Sequence, residues 1–132
     1  MLTEYDPHVA PDPAEWQALP ELDQIALVEA YHRAAGITLP NAQLHAVLHT
    51  IIESQMAAGQ ELPVAATMIR LQNEGLDRHE ALHAVASILA VHIQEILQGQ
   101  WSGSDPNAPY YEELYQLTAK GWLAQWRSSG GT

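Results

Sequence analysis

Proline and glycine divide this chain into helix-length segments, and no stretch between them alternates as a strand does. Pro13, Pro20, Pro40, Pro63 and Pro109 stand at openings, while Gly36, Gly59, Gly75 and Gly99 stand at closings. Proline suits the first helical turn, where its missing N–H costs nothing, and glycine suits the residue just past a helix end. Alternating apolar runs bounded by turn residues, the mark of strands, are almost absent. The short links make successive helices antiparallel neighbours. The chain therefore reads as all-α, an up-and-down helical bundle of about five to six helices.

The boundaries follow from the same signals. Residues 1–12 read as an extended lead-in, 13–127 as a single helical domain and 128–132 as a disordered tail. Asp12 caps a short first helix reaching Leu19, and Pro20 opens a second that runs to Ala35, with Leu22, Ile25, Val28 and Tyr31 as its apolar stripe. Asn41 caps a third helix ending near Ala58, and Pro63 opens a fourth ending near Gly75. Asp77 and Glu80 make a capping box for a fifth, which runs to about Gln98 and at roughly 30 Å is the candidate central helix. After a loop over 99–108, Pro109 opens a last helix that Gly121 is expected to break or bend.

Charge narrows the classes of partner. Sixteen acidic residues face five basic ones, for a net charge of −11. Five basic side chains cannot build a wide phosphate-binding surface, so neither nucleic acid nor an anionic membrane is expected as a partner. There is no cysteine, hence no disulfide and no thiolate metal site. No apolar run reaches 18 residues and the first residues are acidic, so neither a membrane span nor a signal peptide is expected, and the compartment expected is the cytoplasm.

Five of the seven histidines fall on the third and fifth helices, and four of them form two copies of His-x-x-Leu-His: His45 with His49, and His79 with His83. Residues four apart share a helical face one turn apart, the spacing that lets one helix offer two ligands to one metal ion. At about 100° per residue, each pair lies on the equivalent flank of its helix's apolar stripe: Leu44, Leu48, Ile51 and Ile52 on the third, Leu82, Val85, Leu89 and Ile93 on the fifth. Two chain reversals would make these helices parallel, with the pairs about 3 Å apart in height. The expected site is therefore a divalent transition metal held by His45, His49, His79 and His83. Zinc is the default, with nickel and iron as alternatives that imidazole also suits. Affinity would fall below about pH 6 as the imidazoles protonate.

Glu53, one turn beyond His49 on the same side, is the candidate catalytic base of a metal-dependent hydrolase or an extra ligand. Gln55 falls inside the apolar arc, where its amide needs a partner and a histidine is one candidate. His92 points away from the pair and reads as structural, and His8 and His32 have no companion in the sequence and receive no role.

Two further readings compete. Arg78 and His83 fit Arg-polar-x-x-x-His, which resembles the signature of the HEPN superfamily of all-helical domains. That resemblance implies a metal-independent ribonuclease, with Arg78 on the phosphate and His83 as general acid or base. The negative charge opposes such a substrate, and His45 and His49 are left unexplained. Separately, Tyr110, Tyr111, Tyr115, Trp122 and Trp126 form an aromatic C-terminal segment. It suggests a non-enzymatic interaction module, a homodimer, because Tyr and Trp are enriched at interfaces.

Residues 41–92 resemble an uncharacterised bacterial family, domain of unknown function 1841, or a relative of it. The resemblance is carried by Leu44, His45 and His49, by Glu53-Ser54-Gln55, and by the run from Leu76 to His83. Tyr111, Leu114, Leu117, Thr118 and Trp122 look similar as well. It implies an all-helical fold and treats the paired histidines as a unit, but implies no activity.

Overall fold

The structure, a computed structural model, describes residues 2–37, 41–59, 62–100 and 105–128. Among these there are seven helices and no strand: α1 (Pro13–Ala18), α2 (Glu21–Ala34), α3 (Ala42–Ala57), α4 (Pro63–Asn73), α5 (Arg78–Leu97), α6 (Ala108–Gln116) and α7 (Ala119–Ser128). The all-α bundle expected from the punctuation is the architecture adopted. Residues 129–132 of the proposed tail, residues 101–104 of the loop and Pro40 lie outside the described residues, while Ser128 closes α7.

Local chemistry sets the helix ends. The Asp12 carboxylate accepts from the Glu15 N–H, and the Asn41 side chain accepts from the Leu44 N–H. At α5 the capping box is complete: Asp77 accepts from the Glu80 N–H at 2.8 Å, and Glu80 accepts from the Asp77 N–H at 3.0 Å. Gly36, at φ 72°, turns the chain after α2 so that the Ile37 N–H reaches back to the His32 carbonyl. A side chain at this left-handed position would be strained.

The last segment differs from expectation. The chain breaks at Leu117 and Thr118 rather than at Gly121. The Thr118 hydroxyl accepts from the Gly121 N–H at 3.0 Å, so Thr118 is the cap of a separate helix and Gly121 lies in its first turn. A Cβ on Gly121 would meet that hydroxyl at 2.9 Å, closer than side-chain carbons come, so a larger residue would displace the cap.

Two apolar clusters hold the bundle. The larger joins α3 to α7 through Leu48, Ile52, Met68, Leu71, Leu82, Val85, Leu89, Tyr110, Leu114 and Trp122. The smaller joins the N-terminal segment, α1, α2 and α3 through Tyr5, Trp16, Val28 and Ala46. Tyr110 and Trp122 are buried in their own chain's core, so the dimer reading loses those two aromatics; Tyr115 is exposed and the Trp126 side chain lies outside the described set.

The fully buried line of α2 is Gln24, Val28 and His32; of the expected stripe, Val28 is buried, Ile25 and Tyr31 are half-buried against the same cluster, and Leu22 is 80% exposed. Gln24, Val28 and His32 recur every four residues, and Gln24 is kept inside because its amide donates to the Trp16 carbonyl at 2.7 Å. α5 is long and apolar enough by length and composition to cross a membrane, contrary to the expectation that no segment would be. It is instead packed against α3, α4, α6 and α7, with His79, His83 and His92 interrupting its apolar run.

Candidate metal centre

Five imidazoles converge where α2, α3 and α5 meet. One ring nitrogen from each of His32, His45, His49, His79 and His83 lies within 4.8 Å of one from every other. The four histidines expected from their spacing are all present, and His32, which has no companion in the sequence, joins them. It enters from α2, its ring centroid 4.7 Å from that of His45 and 5.0 Å from that of His49.

The two pairs meet crosswise. His45 faces His83 at 4.9 Å between centroids, and His49 lies 5.2 Å from His79 and 5.4 Å from His83. Glu53 then meets Arg78. Level, parallel helices would have matched His45 with His79, so the order along α5 falls as the order along α3 rises. The expected parallel register is therefore not the one adopted: the first residues of α5, Arg78 and His79, meet Glu53 and His49 in the middle of α3, and His83 meets His45 near its start.

Burial is deep and the donors are unspent. His49 is 1% exposed, and His32 and His79 are also buried. The Nε2 atoms of these three have no hydrogen-bond partner among the described residues. An unpaired buried polar atom costs about 1–3 kcal/mol, and three in one place call for a shared partner. The remaining two, His45 Nε2 and His83 Nε2, lie 3.2 Å apart. His32 presents its Nε2 lone pair inward because its Nδ1 lies 2.8 Å from the Val28 carbonyl, to which only an Nδ1–H can donate.

The donor set fits a metal ion. With imidazole bonds of about 2.1 Å, ligand nitrogens around one ion sit roughly 3.0–4.2 Å apart. The 3.2 Å between His45 and His83 is within that range, and the whole set lies within 4.8 Å, roughly half an ångström beyond its upper end. Burial, and next the like charges of neighbouring imidazoles, push the pKa values of His45, His79 and His83 down to about 4. The same causes push His49 lower still. The rings are thus neutral at pH 7, the form in which imidazole binds metal.

Behind the imidazoles stands a polar chain from three parts of the sequence. The Tyr5 hydroxyl lies 3.1 Å from His49 Nδ1 and donates to a Glu53 carboxylate oxygen at 2.6 Å. Arg78 grips both oxygens of Glu53, at 2.7 and 2.8 Å, and donates to the Pro7 carbonyl at 2.9 Å. Next to them the ring of His8 packs edge-on against His79 at 5.3 Å. Burial, followed by the Glu53 charge, holds the Tyr5 hydroxyl well above its usual pKa.

This chain corrects two expectations. Glu53 is 2% exposed and both its oxygens are occupied, so it stands one residue behind the imidazoles rather than as a free base among them. Arg78, 10% exposed at its side chain, has its guanidinium committed to Glu53 and Pro7. It is not free to take a phosphate, and His83 faces His45 rather than Arg78; the ribonuclease arrangement is absent. Gln55 also departs from expectation, because its amide oxygen accepts from Tyr110 at 2.9 Å and orients no histidine. His92 lies outside the cluster, stacked on Tyr110 at 5.1 Å.

Tyr5 and Pro7 lie in the lead-in, which has no periodicity to mark them. No family model, curated protein or solved structure matches this chain.

Proposed function

We propose that this protein binds one divalent transition-metal ion through His45, His49, His79 and His83 together with His32. The observation that carries the reading is the three buried Nε2 atoms without a partner, aimed into the space that His45 and His83 also border. The donors are all neutral nitrogen. Imidazole suits zinc, copper, iron and nickel, whereas magnesium and calcium take oxygen. Zinc in a closed site takes four ligands. A fifth imidazole at the same reach favours an ion that accepts five or six, which places nickel or ferrous iron ahead of zinc. An ion that takes six ligands would have one place left beside the five imidazoles, where it would supply Lewis-acid chemistry to an exogenous ligand. The resemblance over 41–92 to domain of unknown function 1841 rests on the same histidine pairs, and membership is proposed on them.

Metal analysis of protein purified without a polyhistidine tag tests the reading. The expected result is one ion per chain, restored after chelation by nickel, ferrous iron or zinc. Cobalt loading reads the coordination number, with weak visible bands for five or six ligands and strong bands for a tetrahedron. Content well below one ion per chain that added metal does not raise would end the proposal.

A further inference from the structure

We infer that Tyr5 is a positioning residue for the metal centre: held by the Glu53–Arg78 pair, its hydroxyl fixes His49 as the Nδ1–H tautomer and so turns the Nε2 lone pair toward the ion. This rests on the metal-binding reading above for its purpose, and on proton counting for its substance.

The count starts at Arg78, which donates to both oxygens of Glu53. A guanidinium with 10% of its side chain exposed needs an anion against it, so Glu53 is the carboxylate and has no proton to give. The Tyr5–Glu53 contact at 2.6 Å therefore uses the one phenolic proton, with Tyr5 donating. The Tyr5 oxygen is left with lone pairs only. The contact with His49 Nδ1 at 3.1 Å then has one remaining direction: His49 Nδ1–H donates to Tyr5. The opposite direction would require a protonated Glu53 facing Arg78 without its counter-charge.

One proton on a neutral ring leaves one free nitrogen. With Nδ1 protonated, His49 Nε2 is an acceptor, and it is this atom that is buried without a partner. His32 reaches the same state by a different route, through the Val28 carbonyl. Two imidazoles from different helices are thus set beforehand with their lone pairs inward. Partners behind a ligating histidine fix its tautomer and raise its basicity. In this protein the anchor is 44 residues upstream of the ligand, on the N-terminal segment.

The test uses the full chain in both metal-free and metal-loaded states. In metal-free wild-type protein, ¹⁵N-detected NMR of the histidine rings is expected to show His49 protonated at Nδ1. In Tyr5→Phe, which keeps the ring and removes the oxygen, the His49 signals are expected to shift toward a mixture of tautomers. Affinity for nickel, measured against a competing chelator, is expected to fall 10- to 100-fold. His49 protonated at Nε2 in the wild type overturns the inference, as does a folded Tyr5→Phe with unchanged tautomer and affinity within twofold. If Tyr5→Phe does not fold, the wild-type tautomer decides alone. A wild type that binds no metal but shows Nδ1–H at His49 removes the metal reading and leaves the Tyr5 assignment standing.

Discussion

Arg78 grips both carboxylate oxygens of Glu53 in a pair that water barely reaches, with the two side chains 10% and 1% exposed. Breaking such a pair from one side strands a charge, which costs about 3–5 kcal/mol, whereas replacing both partners with apolar groups costs much less. Arg78→Met is therefore expected to lower unfolding free energy by about that amount in urea melts. Arg78→Met combined with Glu53→Leu is expected to recover most of the loss. Equal losses in the single and double variants would contradict the burial of the pair.

His32 separates a five-ligand centre from a four-ligand one. His32→Ala is expected to weaken nickel binding at least tenfold, about 1.4 kcal/mol. His92→Ala is expected to leave nickel binding unchanged, because His92 packs on Tyr110. Isothermal titration of both variants checks this. Unaltered affinity in His32→Ala would reduce the centre to the two pairs on α3 and α5.

Acid should destabilise the metal-free protein in a defined window. His45, His79 and His83 have folded pKa values of about 4, against an ordinary value of 6.5. Above pH 6.5 both folded and unfolded chains hold these rings neutral, and no stability depends on them. As pH falls below 6.5 the unfolded chain takes up protons that the native chain refuses, so stability drops. The slope approaches about 1.4 kcal/mol per pH unit for each ring. It flattens near pH 4, where the native rings also titrate. Urea midpoints taken from pH 7.5 to 4 check the sign. Proton competition for the ion also begins lower than a free imidazole would suggest, so affinity should hold through pH 6 and fall toward pH 4. Loss complete by pH 6 would indicate exposed rings.

At the start of α7, Thr118→Ala removes the hydroxyl that accepts from the Gly121 N–H. The loss of this cap is expected to cost about 0.5–2 kcal/mol, and Thr118→Ser is expected to keep most of it. Thermal unfolding of the two variants side by side distinguishes the hydroxyl from the methyl.

The sequence made some of this legible. The two histidine pairs could be read because each lies on one helix, where spacing alone fixes relative position. His32 could not be read the same way, since what brings it to His45 is the packing of α2 on α3, which no spacing encodes. A weaker signal exists: Gln24, Val28 and His32 recur every four residues, which places His32 beside the stripe that Ile25, Val28 and Tyr31 mark. The register of α3 against α5 is not legible, because counting chain reversals assumes each helix lies level beside the one before it, and the pairing of His45 with His83 and of His49 with His79 departs from that. Tyr5 lay in a segment without periodicity, and its role emerges only through contacts 44 and 48 residues away.

Those long separations have a consequence for timing. His32, His45 and His49 come from adjacent helices and can meet as soon as α2 and α3 pack, giving a nascent chain three donors early in synthesis. His79 and His83 arrive only after α5 emerges, and Arg78 must then reach back 71 residues to the Pro7 carbonyl. Loop closure over such spans is slow relative to helix formation. The five-imidazole set would therefore be completed by α5, beside a Tyr5 that α1, α2 and α3 can already seat.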